Sequence, residues 1–127
     1  MIGYATLGTN DLDRALTFYD GLIGALGGKR LVTMPDARGF TLYGVGRDKP
    51  MLAITRPFDG APASAGNGAM VALAMDSDAQ VESIHATAIE LGASDDGAPG
   101  ARGPGFYGAY FRDADGNKFC AYHSNPG

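Results

Sequence analysis

The second half of this chain retraces the first. With the first half shifted forward by 66 residues, Leu7 falls on Leu73, Asn10 on Asp76, Ala15 on Val81, Phe18 on Ile84 and Phe40 on Phe106. A duplicated unit must be one supersecondary motif that repeats its own pattern of buried positions. On 127 residues, the length of one ordinary domain, the expectation is a fold built from two copies of the same motif, the alternative being an ordinary α+β sandwich whose halves resemble each other by chance.

The pattern within each half identifies the motif. Residues 2–8 read as a strand, and Asn10 or Asp11 is a plausible N-cap. Leu12, Ala15, Leu16, Tyr19, Leu22, Ile23 and Leu26 then recur with helical period, and Gly27-Gly28 stops the helix. Three short strands follow at 29–35, 39–46 and 50–56, separated by Pro35-Asp36 and Asp48-Lys49-Pro50. The stretch 57–67, rich in Pro, Ala, Ser and Gly, reads as a connector. The pattern restarts with a strand at 68–76, a helix capped by Asp76 or Ser77 with Val81, Ile84, Ala88 and Leu91 on one face, and strands at 106–113 and 117–123. The sixth strand must lie in or near 92–98, where Gly and Asp are poor strand formers, so 95–105 reads as a glycine-rich loop or flap. The expectation is an α+β fold. It has two βαβββ modules, about 1–57 and 68–127, whose paired mixed sheets curve around a cavity with the helices outside.

Composition removes several function classes. The net charge of −4 supplies no basic stripe for nucleic acid. No apolar run approaches membrane-spanning length, and the N-terminus lacks a signal-like segment, so the expectation is a cytoplasmic protein. One cysteine cannot close an intrachain disulfide.

Strand alternation divides the side chains between faces. Ala5 and Leu7 suit the helix side, leaving Tyr4 and Thr6 on the concave side. Val71, Leu73 and Met75 leave Met70 on the concave side, and Phe119 and Ala121 leave Cys120 and Tyr122 there, with His123 on the Phe119 side. The 66-residue shift pairs Tyr4 with Met70 and Ile54 with Cys120. Tyr107 or Tyr110 extends the aromatic wall, and Tyr107 is assigned to it. The expected cavity is therefore lined by Tyr4, Thr6, Ile54, Met70, Tyr107, Cys120 and Tyr122.

Three segments carry a resemblance: TNDLDRALTFYDGLIG (9–24), VALAMDSDAQVESIHATAIELGA (71–93) and FYGAYFRDADGNKFCAYH (106–123). In order and spacing they resemble the vicinal oxygen chelate superfamily of glyoxalases, bleomycin- and fosfomycin-resistance proteins and extradiol dioxygenases. Ala114 stands where the family's Asp-Pro-Asp-Gly-Asn turn has Pro. The resemblance implies metal ligands of the His, Glu or Gln type at the positions held here by Tyr4, Ile54, Met70 and Cys120. It also implies a homodimer. Ile54 has no donor atom, Met70 offers a soft thioether, and Tyr4 would have to ionise from a pKa near ~10. The expectation is thus a small-molecule-binding protein with no metal or other cofactor. A Zn, Ni, Mn or Fe site and a lyase or isomerase of the lactoylglutathione lyase type, or a dioxygenase-like enzyme, are the alternatives, and a partner-binding module without a ligand is a third.

Other motifs carry less. A calcium loop starting at Asp113 would need Gly and Glu where Lys118 and Ser124 stand, so Asp113–Asn117 reads as a turn. Glu82-x-x-His85 has no second copy to complete a di-iron site. The glycines of 97–105 lack the Lys-Ser/Thr and the helix of a P-loop, and Arg102 is a candidate anion contact there. His85 and His123 are both badly placed to activate Cys120. Arg56-Pro57-Phe58 either rims the pocket or anchors the connector.

Overall fold

The computed structural model describes residues 1–125 and divides into two compact units, Met1–Ala65 and Gly66–Gly127, of which 126 and 127 lie outside the description. The first unit runs β1 (Tyr4–Gly8), α1 (Leu12–Ala25), β2 (Lys29–Thr33), β3 (Thr41–Gly44) and β4 (Met51–Thr55). The second runs β5 (Val71–Ala74), α2 (Asp78–Glu90), β6 (Ser94–Gly103), β7 (Phe106–Arg112) and β8 (Lys118–Ser124). Each unit is a four-stranded mixed sheet, ordered β1-β4-β3-β2 and β5-β8-β7-β6, with the first and last strands parallel. The α+β architecture of two βαβββ units is therefore realised.

Local chemistry sets the helix ends. Asp11 caps α1 by accepting from the Arg14 amide at 3.1 Å, and Ser77 caps α2 by accepting from the Gln80 amide at 3.1 Å. Gln80 reaches back to the Asp76 amide at 2.7 Å, which satisfies a further orphan donor of that turn. Gly27 (φ 82°) and Gly92 (φ 108°) release the chain from the helices in conformations that side chains disfavour. Leu91 becomes the C-cap of α2 and stays exposed, while His85 joins Val81, Ile84 and Ala88 on the buried face.

Each helix covers one face of its sheet. In the first unit Leu22, Tyr19 and Tyr43 are fully buried, and the Tyr43 hydroxyl donates to Asp20 on α1 at 2.8 Å. Arg30 of β2 clasps the same carboxylate with two 2.8 Å bonds, tying three elements together. The Arg30 bonds hold the Asp20 carboxyl below its usual range, while burial and then the Asp20 bond push the Tyr43 phenol up. Folded Tyr43 therefore keeps its proton above the pH at which the unfolded chain releases it. Its stabilising contribution is complete below ~pH 10 and is lost as pH rises beyond that towards the folded pKa. Tyr43→Phe should remove this alkaline loss and cost roughly 1.5–3 kcal/mol at neutral pH, because it deletes a hydrogen bond to a charged group. Urea titrations at neutral and alkaline pH would check both effects. An unchanged alkaline loss in the variant would refute the assignment.

In the second unit the stacked pair Phe111 and Phe119 forms the core beneath α2, with ring centroids 5.3 Å apart and planes 9° from parallel.

The expected glycine-rich flap is instead β6, ten residues long and the longest strand. It pairs antiparallel with β7 through three register shifts, between Asp95 and Gly97, Gly97 and Gly100, and Ala101 and Gly103. These irregularities absorb the surplus residues. A Cβ at Gly97 would lie 2.9 Å from the Tyr110 ring, so glycine leaves room for the ring of its cross-strand partner. Propensity alone hid this strand, since a neighbouring aromatic strand supplies what glycine lacks.

The connector is not a free tether. Asn10 accepts from the Ala63 amide at 2.7 Å and donates to the Ala63 carbonyl at 3.1 Å, which fixes 57–65 on the first unit.

Candidate functional site

Register decides which side chains share a face. In the first unit Tyr4, Thr6 and Gly8 pair with Met51, Ala53 and Thr55, on the face away from α1. Phe40, just before β3, sets its ring edge-on to Tyr4 at 5.8 Å. Ile54 pairs with Leu7 and with Thr41, on the helix side, and is 1% exposed. The expectation for Ile54 is therefore corrected: it belongs to the core. In the second unit Leu73 pairs with Ala121 and Ala72 with Cys120, so the counterpart of Cys120 is Ala53 rather than Ile54. The repeat has gained one residue by its last strand, and a slip of one reverses every side chain.

The other assignments divide. Tyr4 is 50% exposed and Thr6 is exposed, both on the open face of the first sheet. Met70, also exposed, precedes β5. Cys120 and Tyr122 occupy the face of the second sheet away from α2, where Tyr122 stacks on Phe106 at 5.3 Å. Tyr107 does not join them. Its partner is His123, on the α2 side, and its hydroxyl donates to Glu82 of α2 at 2.5 Å. Tyr110, the partner of Cys120, takes the place expected of Tyr107. Phe111 carried the signal: it belongs under the helix, and Tyr107 shares its parity.

The first unit holds a groove of about 510 Å³ between this open sheet face and the connector. Thr6 and Thr55 bring hydroxyls, Phe40 and Phe58 bring rings, and Arg38 lies 5.0 Å over the Phe58 ring. Arg38 also pairs with Asp36 at 3.4 Å, an exposed contact. Arg56 donates to the Ala37 carbonyl at 2.8 Å, so it anchors the loop while Pro57 and Phe58 form the rim. Asp59, the one carboxylate on this wall, accepts from the Ala61 amide at 2.9 Å and closes a turn. Sequence reasoning missed Arg38, Phe40 and Thr55, because the strand pairing and the packed connector create the groove.

Cys120 is buried, and burial pushes its thiol above the usual range, with Tyr110 as hydrogen-bond neighbour. It is held as a thiol, not as a nucleophile. Arg102 and Lys118 lie 5.7 and 5.2 Å over the Tyr110 ring, and Lys118 also meets Asp96 at 3.4 Å. Arg102 donates to the Ala98 carbonyl. His85 faces Asp95 at 3.1 Å and, like His123, sits on the α2 side of the sheet.

The Asp113–Asn117 stretch is a corner. Asp113 Oδ1 accepts from the amides of Asp115 at 3.0 Å and Asn117 at 2.8 Å, and Oδ2 accepts from the Asn117 side chain at 2.9 Å. Gly116 (φ 87°) completes the turn. Asp113→Ala would strand these buried donors and should cost about 1–3 kcal/mol. Asp113→Asn, which keeps an acceptor oxygen, should recover part of it. Urea midpoints of the two variants test this, and equal loss in both would refute the acceptor role.

Metal chemistry can be judged from the donor set. Tyr4, Met70, Cys120 and Ala53 stand at the places where the resemblance implies ligands, Ala53 replacing Ile54. A phenol, a thioether, a buried neutral thiol and a methyl group do not make a site for Zn, Ni, Mn or Fe(II). Among the described residues no group of three or more His, Cys, Asp or Glu side chains could hold an ion. Among them, too, no helix is long and apolar enough to cross a membrane.

Comparison with known proteins agrees with this architecture. The family model described as Glyoxalase/Bleomycin resistance protein/Dioxygenase superfamily matches residues 1–121. A glyoxalase/bleomycin resistance protein from Albidiferax ferrireducens is similar at 35% identity and TM-score 0.85, over 98% of this chain and 99% of that one. A glyoxalase-related enzyme from Fulvimarina pelagi is similar at 20% identity and TM-score 0.77, over 99% of this chain and 88% of that one. A mutant of glyoxalase I from Zea mays is similar at 21% identity and TM-score 0.75, over 95% of this chain and 43% of that one. The last two likenesses speak for the fold alone. No curated protein matches the chain.

Proposed function

Because the chain belongs to the glyoxalase/bleomycin resistance protein/dioxygenase superfamily, we propose that it binds a small organic molecule against aromatic and hydroxyl-bearing strand faces, without a divalent metal. The groove of the first unit carries this reading. Its volume of about 510 Å³ suits a compact organic ligand. Phe40 and Phe58 offer stacking area, Thr6 and Thr55 fix orientation, and the Arg38 guanidinium favours a carbonyl or anionic group. The donor set at the positions matched to the family's ligands supports the metal-free part.

Protein expressed in medium supplemented with Zn, Ni, Mn and Fe should carry these ions far below one per chain by elemental analysis. A thermal-shift screen of small aromatic and carbonyl compounds should find ligands that raise Tm equally with and without the ions. Phe58→Ala should weaken such a ligand about 3–10-fold, since ring stacking contributes ~0.5–1.5 kcal/mol. Stoichiometric metal, or binding that requires metal, would overturn the reading. Turnover of a hemithioacetal that is lost in Tyr4→Phe would place the chain with the lyases instead.

A further inference from the structure

The chain has four asparagines, and their surroundings differ. The Asn10 side chain is bonded in both directions to Ala63, at 2.7 and 3.1 Å. Asn117 is buried and gives its side-chain amide to Asp113 at 2.9 Å. Asn125 precedes Pro126, whose nitrogen carries no hydrogen. Asn67 is unlike these three. It is exposed, a glycine follows it, and among the described residues its side chain has no hydrogen-bond partner.

The backbone around it is equally open. Asn67 and Gly68 are the central residues of a turn closed by one bond, from the Ala69 amide to the Gly66 carbonyl at 3.2 Å. Residues 66–70 are all exposed. Among the described residues the Gly68 amide has no acceptor. Gly68 is left-handed (φ 93°), and nothing stands within 4 Å of the place a Cβ would take. A turn with one closing bond and no buried side chain opens at little cost. Neither the fold nor a side chain at residue 68 then keeps the Gly68 nitrogen from the side-chain carbonyl carbon of Asn67. Their union closes a five-membered ring.

We propose that the Asn67-Gly68 turn is a site of spontaneous deamidation, at which Asn67 becomes aspartate or isoaspartate. The Gly68 nitrogen gives its proton to solvent and attacks Asn67 Cγ. The N–Cγ bond forms, the Cγ–Nδ2 bond breaks, and ammonia leaves with a proton returned from solvent. Water then opens the cyclic imide. Cleavage of the N–Cγ bond gives aspartate on an unchanged backbone. Cleavage of the bond from the Gly68 nitrogen to the backbone carbonyl carbon of Asn67 leaves the chain running through the side chain, as isoaspartate. Either product adds one negative charge to a chain of net charge −4. Isoaspartate also adds one methylene to the backbone just after Ala65, where the first unit ends. Water is the only co-reactant.

The full chain, held folded in neutral buffer and sampled over weeks, tests this by peptide mapping with mass spectrometry. The fragment carrying residue 67 should gain the mass difference between OH and NH2 and separate into two products of equal mass. Fragments carrying Asn10 and Asn117 should react at least ~10-fold more slowly. Gly68→Ala puts a Cβ beside the attacking nitrogen, and Asn67→Gln requires a six-membered ring. Each should slow the reaction at residue 67 at least ~10-fold, equivalent to ~1.4 kcal/mol of barrier. A synthetic peptide of residues 63–71 gives the rate of an unconstrained chain, and the folded protein should react within ~10-fold of it. A folded chain slower than that would show that the turn protects Asn67. That result, an unchanged rate in Gly68→Ala, or equal reaction at Asn10 and Asn117 would each overturn the proposal. Residue 67 does not line the groove of the first unit, so the outcome leaves that reading where it stands.

Discussion

Phe111→Ala should lower stability by about 3–5 kcal/mol, the usual loss when a large buried ring is cut to a methyl. Phe111 is 0% exposed, stacks on Phe119 and meets the edge of the His85 ring at 6.4 Å. Its removal leaves a cavity between β7 and α2, and close-packed neighbours refill it only in part. Total stability for such domains is typically 5–15 kcal/mol, so the loss should move the urea midpoint far and the denaturant slope little. Phe111→Leu should lose markedly less. Phe58→Ala is the matched control: that ring is 86% exposed, and its loss should cost within about 0.5 kcal/mol. Equal midpoints for Phe111→Ala and Phe58→Ala would show that the Phe111–Phe119 stack does not anchor the second unit.

Gly39→Ala should cost roughly 2–5 kcal/mol, for two separable reasons. The backbone at Gly39 is left-handed (φ 66°), where a Cβ meets the following carbonyl oxygen. That Cβ would also lie 2.1 Å from Leu12 Cδ2 and 3.3 Å from its Cγ, so the Leu12 side chain must turn aside. The turn is otherwise well held: Asp36 Oδ1 accepts from the Gly39 amide at 3.0 Å and Thr41 donates to the Gly39 carbonyl at 2.9 Å. Combining Gly39→Ala with Leu12→Ala separates the two causes in a double-mutant cycle. The second change should restore the steric share and leave the conformational share. Arg38 and Phe40 flank this residue, so Gly39→Ala should also weaken ligands of the first unit's groove. Gly3→Ala, with nothing within 4 Å of the added methyl, should be close to neutral.

Much of the fold was legible. The N-caps, the helical periods and the glycine stops are local signals: Asp11 and Ser77 are the caps out of the two candidates at each site, and Leu26 and Leu91 fall at the helix ends as C-caps rather than within the buried faces. The faces of Tyr4, Thr6, Cys120 and Tyr122 also follow from alternation within single strands, because the side-chain period of a strand is local. Ile54 and Tyr107 fell on the wrong faces for a different reason. Their parity was carried across a repeat, or chosen between two tyrosines, and either step needs the register with a neighbouring strand. The groove at Arg38, Phe40, Thr55 and Phe58 was not legible as a site, because it gathers side chains from segments far apart in the chain.

The residues alone thus determined a duplicated βαβββ unit and its helix ends. Those properties reside in composition, caps and periods read within a few residues. Tertiary structure decided that Ala53, not Ile54, stands opposite Thr6 in the sheet, that the glycine-rich run 94–103 is a strand, and that 57–65 packs down to wall a groove. The physical reason is that backbone hydrogen bonds between strands, and the packing of a loop on a sheet, are made with partners that a linear reading does not bring together. One residue of slip in such pairing exchanges core for surface.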